Sequence, residues 1–368
     1  MLQKEEWTRL NKQFTACLSK KNIQLWSELP NHQLTVGLVH HSTHSIWTTG
    51  QGRGVDSSKS LYEIGSITKT LTDLLLAIGE QNGVWSRSDP LSDFVPEWSS
   101  SPFARSTTLL HLATHTSGLS KVPRNLNASI LDPLNPYANY KNDDLINAVA
   151  SESLKKSSKH SYSNYGFGLL GWLLSRRMGV SLDEALRDLV FKPLGMNESA
   201  VQLPDVQREH LLPVFNAKGK PVPHWDFGDT MAGAGAVRST VSDMLHYMDA
   251  HLSDADHPLY AALAECRKAK HDIFPSRGIG IGFGWMFYRE KDGSTTHWHN
   301  GGTYGSSSFA TFNRDKRIGL VILSNKGTDI WSQLAPMIGI RKMSVDTLAA
   351  LLTKEFFKTD HAAGGSKD

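Results

Sequence analysis

Apolar residues at Trp7, Leu10, Phe14 and Leu18 recur at the spacing of one helical face, so the first 25 or so residues read as an amphipathic helix. Two runs with strand character follow, Gln33 to His41 and His44 to Gly50, and the short polar link between them fits a hairpin. From Ser66 the period changes. Ile67, Leu71, Leu74, Leu75 and Ile78 fall at i, i+4, i+7, i+8 and i+11, one apolar stripe, with Gly83 just beyond its end. Between about Trp85 and Trp225 the chain is rich in Pro, Ser and Asn and has few alternating runs. Helical patches stand out there at Leu109 to Thr114, Asp144 to Ser151, Tyr165 to Met178 and Leu182 to Val190. Val241 to Leu252 predicts another helix. Strands return at Ile279 to Glu290, Thr295 to Asn300, Ser307 to Asn313 and Arg317 to Asn325, with polar turns between them, and Val345 to Phe357 closes as a helix.

Sheet-forming text thus lies at both ends of the chain and helical text between. The pattern predicts an α/β (α+β) fold: one antiparallel sheet built from both termini and covered by helices, with the middle segment packed beside it as a second lobe. The corresponding division is residues 1–84 as the first part of the sheet domain with the Ser66 helix, 85–229 as the inserted helical lobe, and 230–368 as the second part of the sheet domain. A cleft between two such lobes is a common place for a small-molecule site.

Composition narrows the choice. With 368 residues, 39% apolar and 20% charged, the chain can bury a sizeable core and is not disordered. Net charge is only +3 and Lys and Arg form no dense run, which argues against a nucleic-acid partner. No apolar run approaches the roughly 18 residues of a membrane span. The N-terminus is polar and lacks the apolar stretch of a secretory signal, so with Met1 as the native start the expected location is the cytoplasm. Cys17 and Cys266 form no CxxC pair and read as two buried thiols.

Three clusters could carry chemistry. Ser66 stands where the apolar stripe begins, at a helix N-terminus, and Lys69 lies one turn on, close enough for its amine to accept the serine proton. Read alone, Ser66 is equally an N-cap and Lys69 a partner of Asp73. In an extended Tyr162-Ser163-Asn164, the first and third side chains share one side. A free phenol, with a pKa near ~10, is a poor base, and a cation such as Lys69 would lower that value. Alone, this is a polar turn. His299-Asn300-Gly301-Gly302 ends a predicted strand, and its glycines allow close backbone approach. Alone, it is a Gly-rich turn beside a core histidine.

Other motifs lead elsewhere. Gly166, Gly168 and Gly171 match G-x-G-x-x-G, but a polar stretch precedes them and an apolar helix follows, so helix packing explains them better than a dinucleotide. His111 and His115 have a metal-ligand spacing without an evident third ligand, and His297 and His299 share one strand face. Neither pair is read as a metal site.

The three clusters occur in order and together with LLHLATHTSGL (Leu109 to Leu119), YSNYGFGLLGWLL (Tyr162 to Leu174), FKPLGM (Phe191 to Met196), STVSDM (Ser239 to Met244) and HNGGTYGSSSF (His299 to Phe309). In these the sequence resembles the penicillin-recognising serine hydrolases: class C β-lactamases, D-alanyl-D-alanine carboxypeptidases, family VIII-type esterases, D-aminopeptidases and related acyltransferases. The resemblance covers about Gln33 to Asn325. It implies the β-lactamase/transpeptidase-like fold, Ser66 as the nucleophile of an acyl-enzyme, and Lys69 and Tyr162 sharing proton transfer. It also implies that Asn164 binds the acyl-side carbonyl, that the N–H groups of Ser66 and Gly302 hold the oxyanion, and that no metal and no organic cofactor takes part. The strand with His299, Gly301 and Gly302 would bind an extended substrate edge-on. Many members carry Lys-Thr-Gly where this chain has His299-Asn300-Gly301. A histidine near pKa ~6.5 is mostly neutral at pH 7 and would read a carboxylate only as pH falls. The expected substrate is therefore an ester or a small amide or peptide of D-amino-acid type, with weak or no β-lactamase activity. An acyltransferase using the same acyl-enzyme and a non-catalytic sensor or scaffold stand as alternatives. Specificity would come from loops near Lys121 to Tyr140 and Gln202 to Asp229, and nothing in the pattern sets an oligomeric state.

Overall fold

The computed structural model describes residues 2–50, 58–154, 159–328 and 343–357. Its main sheet has eight antiparallel strands: β1 (Leu34–His40), β2 (Thr43–Thr49), β3 (His271–Phe274), β4 (Ile279–Ile281), β5 (Met286–Arg289), β6 (Thr295–Gly302), β7 (Ser307–Asn313) and β8 (Ile318–Ser324). Their spatial order is β2-β1-β8-β7-β6-β5-β4-β3. Strands from the two ends of the chain meet one strand in from an edge of the sheet, where β1 pairs with β8 from Leu34 opposite Ser324 to His40 opposite Ile318. The helices that position the site or cover the sheet are α1 (Leu2–Leu18), α2 (Thr68–Gln81), α3 (Asn164–Met178), α4 (Val241–Leu252), α5 (Tyr260–Arg267) and α6 (Val345–Phe356).

Strand alternation divides the core in two. Leu34, Val36 and Leu38 of β1 and Ile318, Leu320 and Ile322 of β8 face α1 and α6, packing with Phe14, Leu18, Leu348 and Leu352. The intervening Val39, Val321 and Leu323 point the other way and join a second, larger core that includes α2, α3 and α4. Such central strands, buried on both faces, read as continuous apolar runs. Gly37 opens room for α4, since a Cβ there would lie 2.7 Å from Val241 Cγ2. α2 is wrapped on every side: twelve of its fourteen residues are buried. Side chains of the segment 85–229, including Trp98, Leu145 and Phe191, belong to the same large core. Both cysteines are buried free thiols.

The expected single strand from Ile279 to Glu290 is two strands. β4 and β5 pair as a hairpin across Gly282 to Trp285, where Gly284 has φ +69° and lies against the Lys69–Thr70 backbone. The edge strand β3 escapes the sequence reading because it is four residues long and half exposed. Gly168 and Gly171 pack against Met231 and Gly233, the helix-packing role expected of that G-x-G-x-x-G run. Among the described residues no helix is long and apolar enough to cross a membrane.

Several histidines are buried neutral. Burial pushes His32 and His297 down to about 4, below the unfolded value near 6.5, although each also meets a backbone carbonyl. Between those values the unfolded chain binds protons the folded chain does not. Their contribution to stability is present above about pH 6.5 and is lost as pH falls toward 4. The apparent Tm is expected to fall by on the order of 5 °C from pH 7.5 to 5, and by less in His297→Gln, as read by scanning fluorimetry. Equal slopes in the two proteins would show that His297 is not a buried neutral group.

Candidate active site

Ser66 sits in a 3-10 turn, Gly65–Ile67, that runs directly into α2. Gly65 adopts φ +50°, and a side chain at that position would overlap the backbone N of Gly302. The turn therefore lies in backbone contact with the end of β6. Gly301 completes the contact, because a Cβ there would overlap the Ile64 carbonyl oxygen and lie 3.0 Å from Ser66 N. Ser308 Oγ donates to the same Ile64 carbonyl at 2.8 Å.

Lys69, one turn further, is 0% exposed. Its Nζ is 3.1 Å from Ser66 Oγ and donates to the Ala234 carbonyl at 2.6 Å. It also stands over the rings of Tyr162, at 4.9 Å, and Phe167, at 5.7 Å. Burial first, then the charge of Lys121, hold this amine well below the usual ammonium range, against the opposing influence of Asp73. Tyr162 reaches the site from the extended segment before α3 and donates its O–H to Ser66 Oγ at 2.7 Å. The structure thus brings Ser66, Lys69 and Tyr162 together although Tyr162 is 96 positions from Ser66. The phenol departs from the sequence reading. Burial raises its pKa above the ordinary value, and the bond to Ser66 only partly offsets this. In the resting site Tyr162 is a proton donor, not a phenolate.

Asn164 opens α3 and donates its Nδ2 to the Tyr137 hydroxyl at 3.3 Å, while its Oδ1 is buried without a partner. His299 is 5% exposed, with Nδ1 2.6 Å from the Asn300 carbonyl oxygen. Burial, then Lys69, push its ring down to about 3. This corrects the expectation that His299 charges as pH falls through 6.5: desolvation keeps it neutral across the physiological range. Asn300, on the alternate face of β6, donates to Asp346 of α6 at 3.1 Å and is turned away from Ser66.

Two residues at the site escaped the sequence reading. His115 accepts the N–H of Ser163 on Nδ1 at 3.1 Å and the N–H of Ser161 on its carbonyl at 2.8 Å, so it clamps the segment that carries Tyr162. Its ring lies 4.7 Å from that of Tyr162, and its φ is +57°. The LLHLATHTSGL run contained this residue, where its spacing from His111 drew attention to metals instead. Glu63, 3% exposed, accepts from Trp225 N–H at 2.8 Å and Thr303 Oγ at 2.5 Å, and its Oε1 lies 3.1 Å from His224 Nδ1. Burial opposes its ionisation, but the His224 and Thr303 bonds outweigh this and hold the carboxyl below its ordinary value. One carboxylate so ties the Ser66 turn, the loop after Gly302 and the loop at Trp225. Among the described residues no group of three or more His, Cys, Asp or Glu side chains could hold a metal ion.

Over most of its length the chain is similar to known proteins. The family model described as Beta-lactamase matches residues 39–335. A β-lactamase of Pseudomonas fluorescens is 24% identical over 305 residues, covering 73% of this chain and 80% of that protein. Penicillin-binding protein 4 of Amycolatopsis lactamdurans is 26% identical over 345 residues, covering 85% of this chain and 84% of its own. A solved β-lactamase/D-alanine carboxypeptidase from Pseudomonas syringae superposes with a TM-score of 0.72 at 20% identity, over 90% of this chain and 94% of that one. The family match from residue 39 to 335 covers most of the chain, and the chain belongs to the β-lactamase family of penicillin-recognising serine hydrolases.

Proposed function

We propose that the protein hydrolyses an ester or a small amide or peptide of D-amino-acid type through an acyl-enzyme on Ser66. The observation that carries this reading is the approach of Lys69 Nζ and Tyr162 Oη to one serine oxygen, at 3.1 and 2.7 Å, with the amine held toward its neutral form. A neutral amine can accept the Ser66 proton while its own N–H donates to Ala234, and the Tyr162 hydroxyl still donates to Oγ.

Ser66 Oγ attacks the carbonyl carbon and its proton passes to Lys69. The oxyanion forms against the backbone N–H groups of Ser66 and Gly302, and Asn164 meets the acyl side. Collapse of the tetrahedral intermediate breaks the bond to the leaving group, which takes the Tyr162 proton. The resulting phenolate is favoured at that moment by the new ammonium 4.9 Å from its ring. In deacylation, water attacks the acyl carbon and gives its proton to the phenolate, and Lys69 returns a proton to Oγ. Every proton is restored. With His299 neutral, β6 offers no fixed cation beside the oxyanion site, which supports uncharged substrates and weak or absent turnover of carboxylate-bearing β-lactams. The family relationship to proteins named as β-lactamases and a penicillin-binding protein supports acyl-group chemistry as such.

Intact mass spectrometry after reaction with a fluorophosphonate tests the reading. One adduct is expected, mapping to the peptide that contains Ser66, in a protein that turns over p-nitrophenyl acetate faster than a chromogenic cephalosporin. Absence of the adduct, or its location on another residue, would remove Ser66 as nucleophile.

A further inference from the structure

Four aromatic side chains form a continuous row that runs from the Asn164 amide to the turn just after Gly302. Tyr137 stacks on Phe227 at 5.2 Å and meets Trp225 edge-on at 5.5 Å. Trp225 in turn meets Tyr304 edge-on at 4.9 Å. At one end, the Tyr137 hydroxyl accepts from Asn164 Nδ2. At the other, Tyr304 lies two residues after Gly302 and is 44% exposed. Tyr137 and Phe227 are buried, so the rings that a ligand can meet are Tyr304 and the open part of Trp225.

The row is held rigidly. Glu63 binds the Trp225 N–H and the Thr303 hydroxyl, the latter one residue before Tyr304. A turn from Thr303 N–H to the Ser306 carbonyl, at 3.1 Å, fixes the remainder. Two buried polar atoms beside the rings lack partners: Asn164 Oδ1, an acceptor, and Trp225 Nε1, a donor. A preformed aromatic surface with a few uncompensated polar atoms, flanking a nucleophile with no fixed cation on its strand side, is matched by an uncharged flat group.

Resting on the hydrolase reading above, we infer that the acyl group accepted by this site is uncharged and aromatic, of arylacetyl type, and lies against Tyr304 and Trp225. The edge-on geometry of the row favours a π-face over a saturated ring of equal bulk.

The test compares p-nitrophenyl esters of phenylacetic, cyclohexylacetic and acetic acid, each kcat/KM divided by the ester's own hydroxide-catalysed rate. The expected order is phenylacetyl, then cyclohexylacetyl, then acetyl, with about a tenfold span between the first and last. In Tyr304→Ala, and separately in Trp225→Leu, the phenylacetyl-to-acetyl ratio is expected to fall at least about fivefold. Tyr304 is exposed enough for its variant to fold, and circular dichroism verifies this for both. Turnover through Ser66 with no phenylacetyl preference, or a preference that survives both substitutions, overturns the inference and leaves the hydrolase reading standing. No turnover and no Ser66 adduct in the parent protein overturns both.

Discussion

Ser66→Ala is expected to lower kcat/KM for p-nitrophenyl acetate by at least ~10³-fold and to abolish the fluorophosphonate adduct. The remaining groups can still polarise a bound ester and activate water, so a small residual rate is expected above the uncatalysed one. The substitution removes the shared acceptor of Tyr162 and one neighbour of Lys69. Water can replace the hydroxyl in a half-buried site, so stability should change by no more than about 1 kcal/mol. Loss of activity with an unchanged Tm separates a nucleophile from a structural serine, and a variant that keeps parental turnover removes the proposed mechanism. The parent's pH profile bears on the same chemistry. In the proposed mechanism the base form of Lys69 is the active one, so activity should be lost as pH falls through a lysine pKa well below 10.5. An acid limb at the ordinary lysine value would mean that Lys69 is not desolvated in solution.

Gly301→Ala is expected to be nearly as damaging, although it removes no functional group. The added Cβ would overlap the Ile64 carbonyl oxygen and lie 2.5 Å from Ser308 Oγ, inside a contact made by two backbones. Backbone cannot step aside as a flexible side chain can, so either the Ser308–Ile64 hydrogen bond breaks or β6 moves away from the Ser66 turn. Overpacking of this kind costs about 1–3 kcal/mol. Moving the proposed oxyanion donor, the Gly302 N–H, relative to Ser66 is expected to lower kcat by on the order of 10²-fold. The measurement is kcat, KM and Tm together: a large fall in kcat with a moderate fall in Tm is expected. Gly302→Ala, whose Cβ would meet only the Ser306 carbonyl oxygen at 3.2 Å, should lose much less. Equal behaviour of the two variants would show that the Gly301 contact does not hold the site.

Much of the frame was legible from period alone. β7 lies where alternation placed it, and the α2 stripe and the Val241 to Leu252 helix follow their apolar spacing. These are local signals, because a strand or helix buried on a known face must repeat its apolar residues at 2 or 3.6. The Ile279 to Glu290 run misled because Gly282, Phe283 and Gly284 are as apolar as a strand, while the hairpin they make depends on a backbone φ that composition does not report. Helical spacing likewise placed Lys69 one turn from Ser66, and the ordered motifs singled out Tyr162, Asn164 and the Gly301–Gly302 pair.

Order along the chain therefore placed Lys69 one turn from Ser66 and Asn164 two positions from Tyr162, since such residues are neighbours by covalent geometry. Only tertiary packing brought Tyr162 and Gly302 to Ser66 and decided the protonation and surroundings of each group. Whether Lys69 is a base, Tyr162 a donor and His299 an uncharged ring depends on how far each is removed from water, and the groups that exclude the water come from distant segments. The row from Tyr137 to Tyr304 is likewise drawn from three separate loops. Desolvation and long-range stacking arise when remote parts of a chain close on one another, and no local period records them.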